Sequence, residues 1–197
     1  MTCSKTDSES IEKISDVLKN GGIVILPTDT VYGFSGVVDL KGRKEFFCDD
    51  RIRQIKGRSE TKPLIQLIAK PEDINLYTDA AIDPELLSKW PGPLTVIVPL
   101  KKDSPLKTDL KTIAFRCPGD EWLRKIIENC GVPLYSTSVN RSGYPVLCTE
   151  KEIISEFENE CDLIVLAGDT ENALPSTIVK VEEGKPYTVV RQGALKL

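Results

Sequence analysis

Five cations, Arg51, Arg53, Lys56, Arg58 and Lys62, fall within twelve residues of this chain, opposed only by Glu60. Guanidinium groups grip phosphate oxygens two at a time, and lysine adds a compact point charge. One reading of the run is therefore a phosphate or polyphosphate site. The other is a solvated helix end, where cations complement the C-terminal dipole. A second cluster, Ser136-Thr137-Ser138-Val139-Asn140-Arg141-Ser142-Gly143, offers four hydroxyls, an amide and a guanidinium directly after an apolar stretch. Such groups can bond phosphate or ribose and can present oxygens to hydrated Mg²⁺. They are equally what a loop uses to satisfy its own backbone.

Three further positions carry chemical interest. Pro27-Thr28-Asp29-Thr30 follows an apolar strand, where ligands collect in α/β sheets. Arg116 interrupts the apolar run Ile113-Ala114-Phe115-Arg116-Cys117, and a buried cation requires an anionic partner, either a protein carboxylate or a ligand. Pro175-Ser176-Thr177 opens another strand, and Arg191 closes one.

What the sequence lacks is equally informative. It contains no histidine, which excludes Ser-His-Asp and Cys-His catalysis and HExxH zinc chemistry. There is no GxxxxGK phosphate loop, no GxGxxG and no zinc-ligand spacing, so a bound nucleotide would be held by side-chain cations and hydroxyls. With 26 basic and 30 acidic residues the formal charge is −4, which argues against wholesale coating of nucleic acid. Six cysteines without a CxxC pair, and a polar N-terminus, point to free structural thiols and a cytoplasmic protein. No apolar run approaches the ~20 residues of a membrane span.

The elements that must position these groups follow from periodicity. Ile11, Ile14, Val17 and Leu18 stripe a helix over 8–20 that stops at Gly21-Gly22. Further helices are predicted over 43–55, 83–90 and 120–130, and around Ile153, Ile154 and Phe157. The run 23–26, wholly apolar, reads as a strand buried on both faces. Further strands are predicted at 31–34, 64–69, 95–99, 112–117, 133–136, 162–167, 177–181 and 187–191, with a polar turn over 137–143. Helices and strands interleave, except between 94 and 117 and after 176. The fold class is α/β, with a twisted mixed sheet and flanking helices. Residues 8–197 are expected to form one domain, and residues 1–7 a polar tail.

Seven segments in order, Pro27-Thr28-Asp29-Thr30-Val31-Tyr32-Gly33, Lys56-Gly57-Arg58 with Pro63-Leu64-Ile65, Trp90-Pro91-Gly92-Pro93-Leu94-Thr95, Arg116-Cys117-Pro118, Ser138-Val139-Asn140-Arg141-Ser142-Gly143, Pro175-Ser176-Thr177-Ile178 and Arg191-Gln192-Gly193, resemble the YrdC family, the threonylcarbamoyl-AMP synthases. The resemblance spans about residues 10–195. It implies a sheet curved around a concave basic cavity and an enzyme that joins L-threonine, bicarbonate or CO₂ and ATP, with Mg²⁺. The products would be pyrophosphate and L-threonylcarbamoyladenylate, the donor for threonylcarbamoyladenosine in tRNA through a downstream tRNA threonylcarbamoyl transferase.

Carried over motif by motif, the resemblance puts Lys56 and Arg58 on the triphosphate and Lys62 near the nucleotide. Ser138 and Asn140 fall beside the phosphates and their Mg²⁺, the metal being held mainly through the phosphates. Thr112 and Arg191 fall on the nucleotide side, and Thr30, Arg116, Ser136 and Ser176 around threonine. The sequence departs from the family pattern at Leu67, where many members carry histidine near threonine, and at Ser59, Val146, Pro175 and Gln192. A double-stranded RNA-binding module without turnover is the alternative, resting on residues 51–62. Carbamoyl-adenylate chemistry of the hydrogenase-maturation type shares this domain but normally brings zinc-finger and acylphosphatase-like segments.

Overall fold

The computed structural model describes residues 1–57, 63–182 and 187–197. Ten strands among these residues form one sheet: β1 (Thr2–Ser4), β2 (Val24–Leu26), β3 (Gly33–Val37), β4 (Ile65–Leu67), β5 (Leu94–Pro99), β6 (Thr112–Arg116), β7 (Leu134–Ser138), β8 (Leu163–Leu166), β9 (Thr177–Lys180) and β10 (Thr188–Arg191). Their order is β1-β8-β2-β3-β7-β4-β6-β5-β9-β10. Parallel pairings (β1/β8, β2/β8, β4/β6, β5/β9) occur beside antiparallel ones (β2/β3, β3/β7, β4/β7, β5/β6, β9/β10), so the sheet is mixed.

Five α-helices among the described residues flank it: α1 (Ser10–Lys19), α2 (Cys48–Lys56), α3 (Pro84–Leu87), α4 (Glu121–Cys130) and α5 (Glu150–Phe157). Their ends are chemically marked. Asp120 accepts from the Trp122 N–H at the start of α4, and Gly131 closes that helix in the left-handed conformation. Thr149 and Glu152 form a reciprocal capping box on α5. Helix α1 packs on α4 and on strands β2 and β3, burying Ile14 and Leu18 completely. Each such side chain contributes roughly 1.5–3 kcal/mol of transfer free energy.

Pairing register explains how one sheet makes both a core and a cavity. Residues opposite each other across a ladder point to the same face. Gly36, Tyr135, Gln66, Phe115, Val96 and Val179 form one such row across β3, β7, β4, β6, β5 and β9. Phe115 and Val96 are fully buried on that face, with Tyr77 stacked on Phe115 at 4.9 Å. The alternate residues Ser136, Ser138, Ile65, Thr112, Ala114, Arg116, Ile97 and Ile178 face the other way. A second core, with Phe34 edge-on to Phe157 at 4.9 Å, joins β2, β3 and β8 to α1, α2, α4 and α5.

Several elements differ from the sequence expectations for identifiable reasons. Residues 2–4 are not a tail: they form parallel strand β1 on β8, with Cys3 buried, because unpaired backbone of β8 accepts them. Residues 43–47 are not helical. Asp39 accepts from the N–H groups of Phe46 and Phe47 (2.8 and 3.0 Å), and Phe47 takes φ +53°, so α2 begins at Cys48. The helix over 83–90 is the single turn α3, and the chain beyond it tightens into turns in which the Lys89 and Trp90 N–H groups donate to the carbonyls of Leu86 and Leu87 (both 3.0 Å). Strand β3 starts at Gly33 rather than 31, and β7 runs through Ser138, taking in two residues read as turn.

Candidate active site

The alternate residues on the open face of the sheet floor a cavity of about 560 Å³. Its wall also includes Thr28, Thr30 and Tyr32 after β2, Pro63 and Leu64 before β4, Val146, Pro175 and Ser176, and Val190 and Arg191 of β10. Among the described residues, Arg116 and Arg191 are the charged side chains of that wall, and the rest is hydroxyl or apolar.

Arg116 is only 5% exposed. Its Nη2 pairs with Asp29 Oδ1 at 2.5 Å, Nη1 donates to Thr30 Oγ1 at 2.8 Å, and Nε donates to the Gly92 carbonyl at 3.1 Å. Asp29 is fixed in turn by the Gly119 N–H at 2.9 Å. The partner demanded by a buried cation is thus a protein carboxylate. A guanidinium has five N–H donors and these contacts use three, so two remain for a ligand.

On the facing strands, Ser176 Oγ shares a hydrogen bond with Thr95 Oγ1 (2.8 Å), and Arg191 donates to the Ser176 carbonyl (2.8 Å) and hydroxyl (3.3 Å). Burial, together with the neighbouring Arg116 charge, pushes Arg191 below the usual guanidinium range. No carboxylate pairs with Arg191 among the described residues, so the cavity presents an excess of positive charge, suited to an anion. Ser136 Oγ hydrogen-bonds no described group, and Gly33 leaves it room, since a Cβ there would lie 3.1 Å from that oxygen.

Thr30, Thr112, Arg116, Ser136, Ser138, Ser176 and Arg191 therefore share one cavity. Lys56 and Asn140 stand differently. Lys56 is 3% exposed, and its ammonium donates to the carbonyls of Ser138 (2.5 Å) and Asn140 (3.0 Å) and to Asn140 Oδ1 (2.8 Å). Neither lines the cavity; both brace the segment that carries Ser138, whose hydroxyl donates to Asn140 Oδ1 at 2.9 Å. The three described cations of the basic run each meet groups of the protein itself. Arg51 pairs with Asp162 at 3.0 Å, Arg53 with Asp49 at 2.5 Å, and Lys56 with the 138–140 segment. Arg58, Ser59 and Lys62 lie outside the described residues.

Leu67 is buried in the core beside Leu134 and is not part of the cavity wall, whereas Val146 and Pro175 are. Gln192 turns away, its amide donating to the Leu195 carbonyl at 2.5 Å. Sequence reasoning missed Asp29 as the partner of Arg116, although it singled out the segment. It also missed Thr95, whose signal was a lone hydroxyl in an apolar strand, and Tyr32. The Tyr32 hydroxyl donates to the Gly168 carbonyl and accepts from the Ala167 N–H (both 2.9 Å).

The wall's uncharged donors are hydroxyl oxygens, and no triad of carboxylate, thiol or imidazole groups gathers among the described residues. Mg²⁺ brought in on phosphate oxygens and water would meet hard oxygen donors in the hydroxyls of that wall, Ser138 among them.

The mixed sheet, with two guanidiniums and several hydroxyls around the cavity on its open face, defines an α/β domain with a positively charged pocket. Comparison places it more narrowly. A family model for Sua5, YciO and YrdC, described as telomere recombination, matches residues 16–193. A threonylcarbamoyl-AMP synthase from Pyrococcus abyssi is 32% identical over 186 residues, 91% of this chain and 53% of the relative. The crystal structure of P. abyssi Sua5 complexed with L-threonine superposes with a TM-score of 0.83 at 29% identity, over 98% of this chain and 57% of that one. Escherichia coli YciO superposes at 0.79 with 22% identity, over 98% and 93% of the two chains, and shares the fold. The chain belongs to the Sua5/YciO/YrdC family. It spans about half the length of the P. abyssi relative.

Proposed function

We propose that this chain is an L-threonylcarbamoyladenylate synthase. It would convert ATP, L-threonine and bicarbonate to L-threonylcarbamoyladenylate, pyrophosphate and water, for modification of tRNA. The observation that carries the reading is Arg116, which lines the cavity, is oriented by Asp29 and Thr30, and has two N–H donors that no described group takes up. A planar guanidinium with paired free donors is matched to a carboxylate, here that of threonine, with the hydroxyls of Thr30, Ser136 and Ser176 around the amino acid. Arg191, Thr112 and Ser138 would take the nucleotide side, and Arg58 and Lys62 the outer phosphates.

The chemistry asks for positioning rather than a protein nucleophile. Threonine's amine and bicarbonate condense to a carbamate with loss of water. A carbamate oxygen then forms a bond to the α-phosphorus as the bond to the bridging oxygen breaks and pyrophosphate departs. Mg²⁺, carried on the phosphates, supplies charge neutralisation. The protein's part is to hold carboxylate and triphosphate at fixed separation, which alone lowers the barrier by several kcal/mol, and to present positive charge where the leaving group gains negative charge. A chain without histidine is adequate to that task.

The test is mass spectrometry of the purified protein incubated with ATP, Mg²⁺, L-threonine and ¹³C-bicarbonate. The expected product is threonylcarbamoyladenylate carrying one ¹³C atom. Its absence, with ATP and threonine recovered intact, overturns the reading.

A further inference from the structure

Arg141 lies outside the cavity wall, yet it forms the densest ionic knot in the described structure. Its Nε donates to Glu156 Oε1 at 2.7 Å. The two terminal nitrogens grip both oxygens of Glu160, Nη1 to Oε2 at 3.0 Å and Nη2 to Oε1. Nη1 also reaches the Ile55 carbonyl, and the guanidinium carbon sits 4.7 Å from the centre of the Phe157 ring. Three elements meet here: the end of α5, the end of α2 and the polar segment after β7. The Ser142 N–H donates to the Lys56 carbonyl at 2.7 Å, so the segment and α2 are tied by backbone as well.

The knot connects to the cavity in two steps. The Asn140 amide group donates to the carbonyls of Arg141 (3.0 Å) and Tyr144 (2.7 Å), while its Oδ1 accepts from Lys56 Nζ and from the hydroxyl of Ser138. Ser138 is on the cavity wall. Moving Arg141 therefore moves the acceptor that aims the Ser138 hydroxyl. A lysine could satisfy one carboxylate but not two carboxylates, a carbonyl and a ring face together, which requires the planar fork.

We propose that Arg141 is a positioning residue. Anchored on Glu156 and Glu160, it sets the angle at which residues 138–140 face the nucleotide side of the cavity, and it leaves the threonine side at Arg116 untouched. The inference rests on the adenylate-forming reading for its kinetic consequence, and on the geometry alone for its structural one.

The experiment compares wild type, Arg141→Ala, Arg141→Lys and the exchange pair Arg141→Glu with Glu160→Arg in full-length protein. Pyrophosphate release is measured while ATP is varied at saturating threonine, and again while threonine is varied at saturating ATP. Arg141→Ala is expected to raise KM for ATP about tenfold, the scale of one lost charge-assisted contact felt in part. KM for threonine should stay within about twofold, with Arg141→Lys and the exchange pair intermediate. Amide hydrogen exchange on the same proteins supplies a readout independent of turnover. Arg141→Ala should speed exchange at 139–144 and leave 112–116 at the wild-type rate. Unchanged exchange at 139–144 overturns the positioning role, whether or not the protein turns over. Equal loss on both substrates, with a matching fall in melting temperature, also overturns it. A wild type that shows no turnover but yields the expected exchange pattern in Arg141→Ala counts against the adenylate reading alone.

Discussion

At the scale of single residues, Arg116 and Lys56 show how similar charges are put to different uses. Both are nearly inaccessible. Lys56 spends its ammonium on three oxygens of one segment, whereas Arg116, with a wider fork, meets Asp29, Thr30 and Gly92 and keeps donors in reserve. Arg116→Lys keeps the charge opposite Asp29 but loses the fork. Under the proposed function it should raise KM for threonine at least tenfold, about 1.4 kcal/mol, while KM for ATP changes little. Thermal melting must show a folded protein, since leaving Asp29 poorly paired also weakens the fold. An unchanged KM for threonine would remove Arg116 from the amino-acid side. Arg116 was legible in the sequence because a cation inside an apolar strand must have a reason. Its partner was not, because Asp29 lies 87 positions away and only folding brings them together. The resemblance put Lys56 on the triphosphate; the oxygens of residues 138–140 that its ammonium meets were not legible, because a run of cations carries no record of which oxygens each one meets.

Elements account for how that sorting is achieved. Helices α2 and α5 end beside the polar segment, and Arg141 ties all three, so element ends set the geometry of residues that themselves touch the cavity. Hydrogen bonds from Arg141 hold Glu160 below the ordinary glutamate value of 4.5. A depressed native pKa means that the contribution is complete above the unfolded value and is lost as pH falls through the native one. Glu156, on the same guanidinium, and Arg141, which stays charged throughout, are the other charged groups of the knot. The melting-temperature gap between wild type and Glu160→Gln should therefore be full at neutral pH and shrink below about pH 4.5. A gap that does not vary with pH would show that the Glu160 charge is idle. Long striped elements such as α1 and α4 were readable from periodicity, and the end of α1 from Gly21-Gly22. The start of α2 was not, because the Asp39 carboxylate, distant from the helical stripe, holds Phe46 and Phe47 out of it. Strand β1 escaped notice because three mostly polar residues acquire their pattern only from β8.

For the whole molecule, the net charge of −4 conceals a division of labour. Among the described residues, Arg51, Arg53 and Arg141 of the basic segments are paired with carboxylates away from the cavity, and the cavity keeps Arg116 and Arg191 on a wall otherwise of hydroxyls and apolar groups. The sheet makes this possible by alternation: one face closes into core around Phe115 and Val96, and the other stays open over the row that includes Ser136, Ala114 and Ile97. The mixed character of that sheet was visible wherever strands followed one another without an intervening helix. The order of its strands was not, since the pairing of β7 with β3 and β4 joins segments far apart in the chain. The six cysteines are all free thiols, and burial raises five of them, Cys117 to about 12. The central claim is that Arg116 receives the carboxylate of an amino acid whose carbamate attacks ATP. Its most direct test is pyrophosphate release from ATP with bicarbonate, measured with L-threonine, with L-threonine amide and with no amino acid. Release is expected with threonine alone, and background rates in the other two. Release that proceeds equally well with the amide, or without any amino acid, would contradict it.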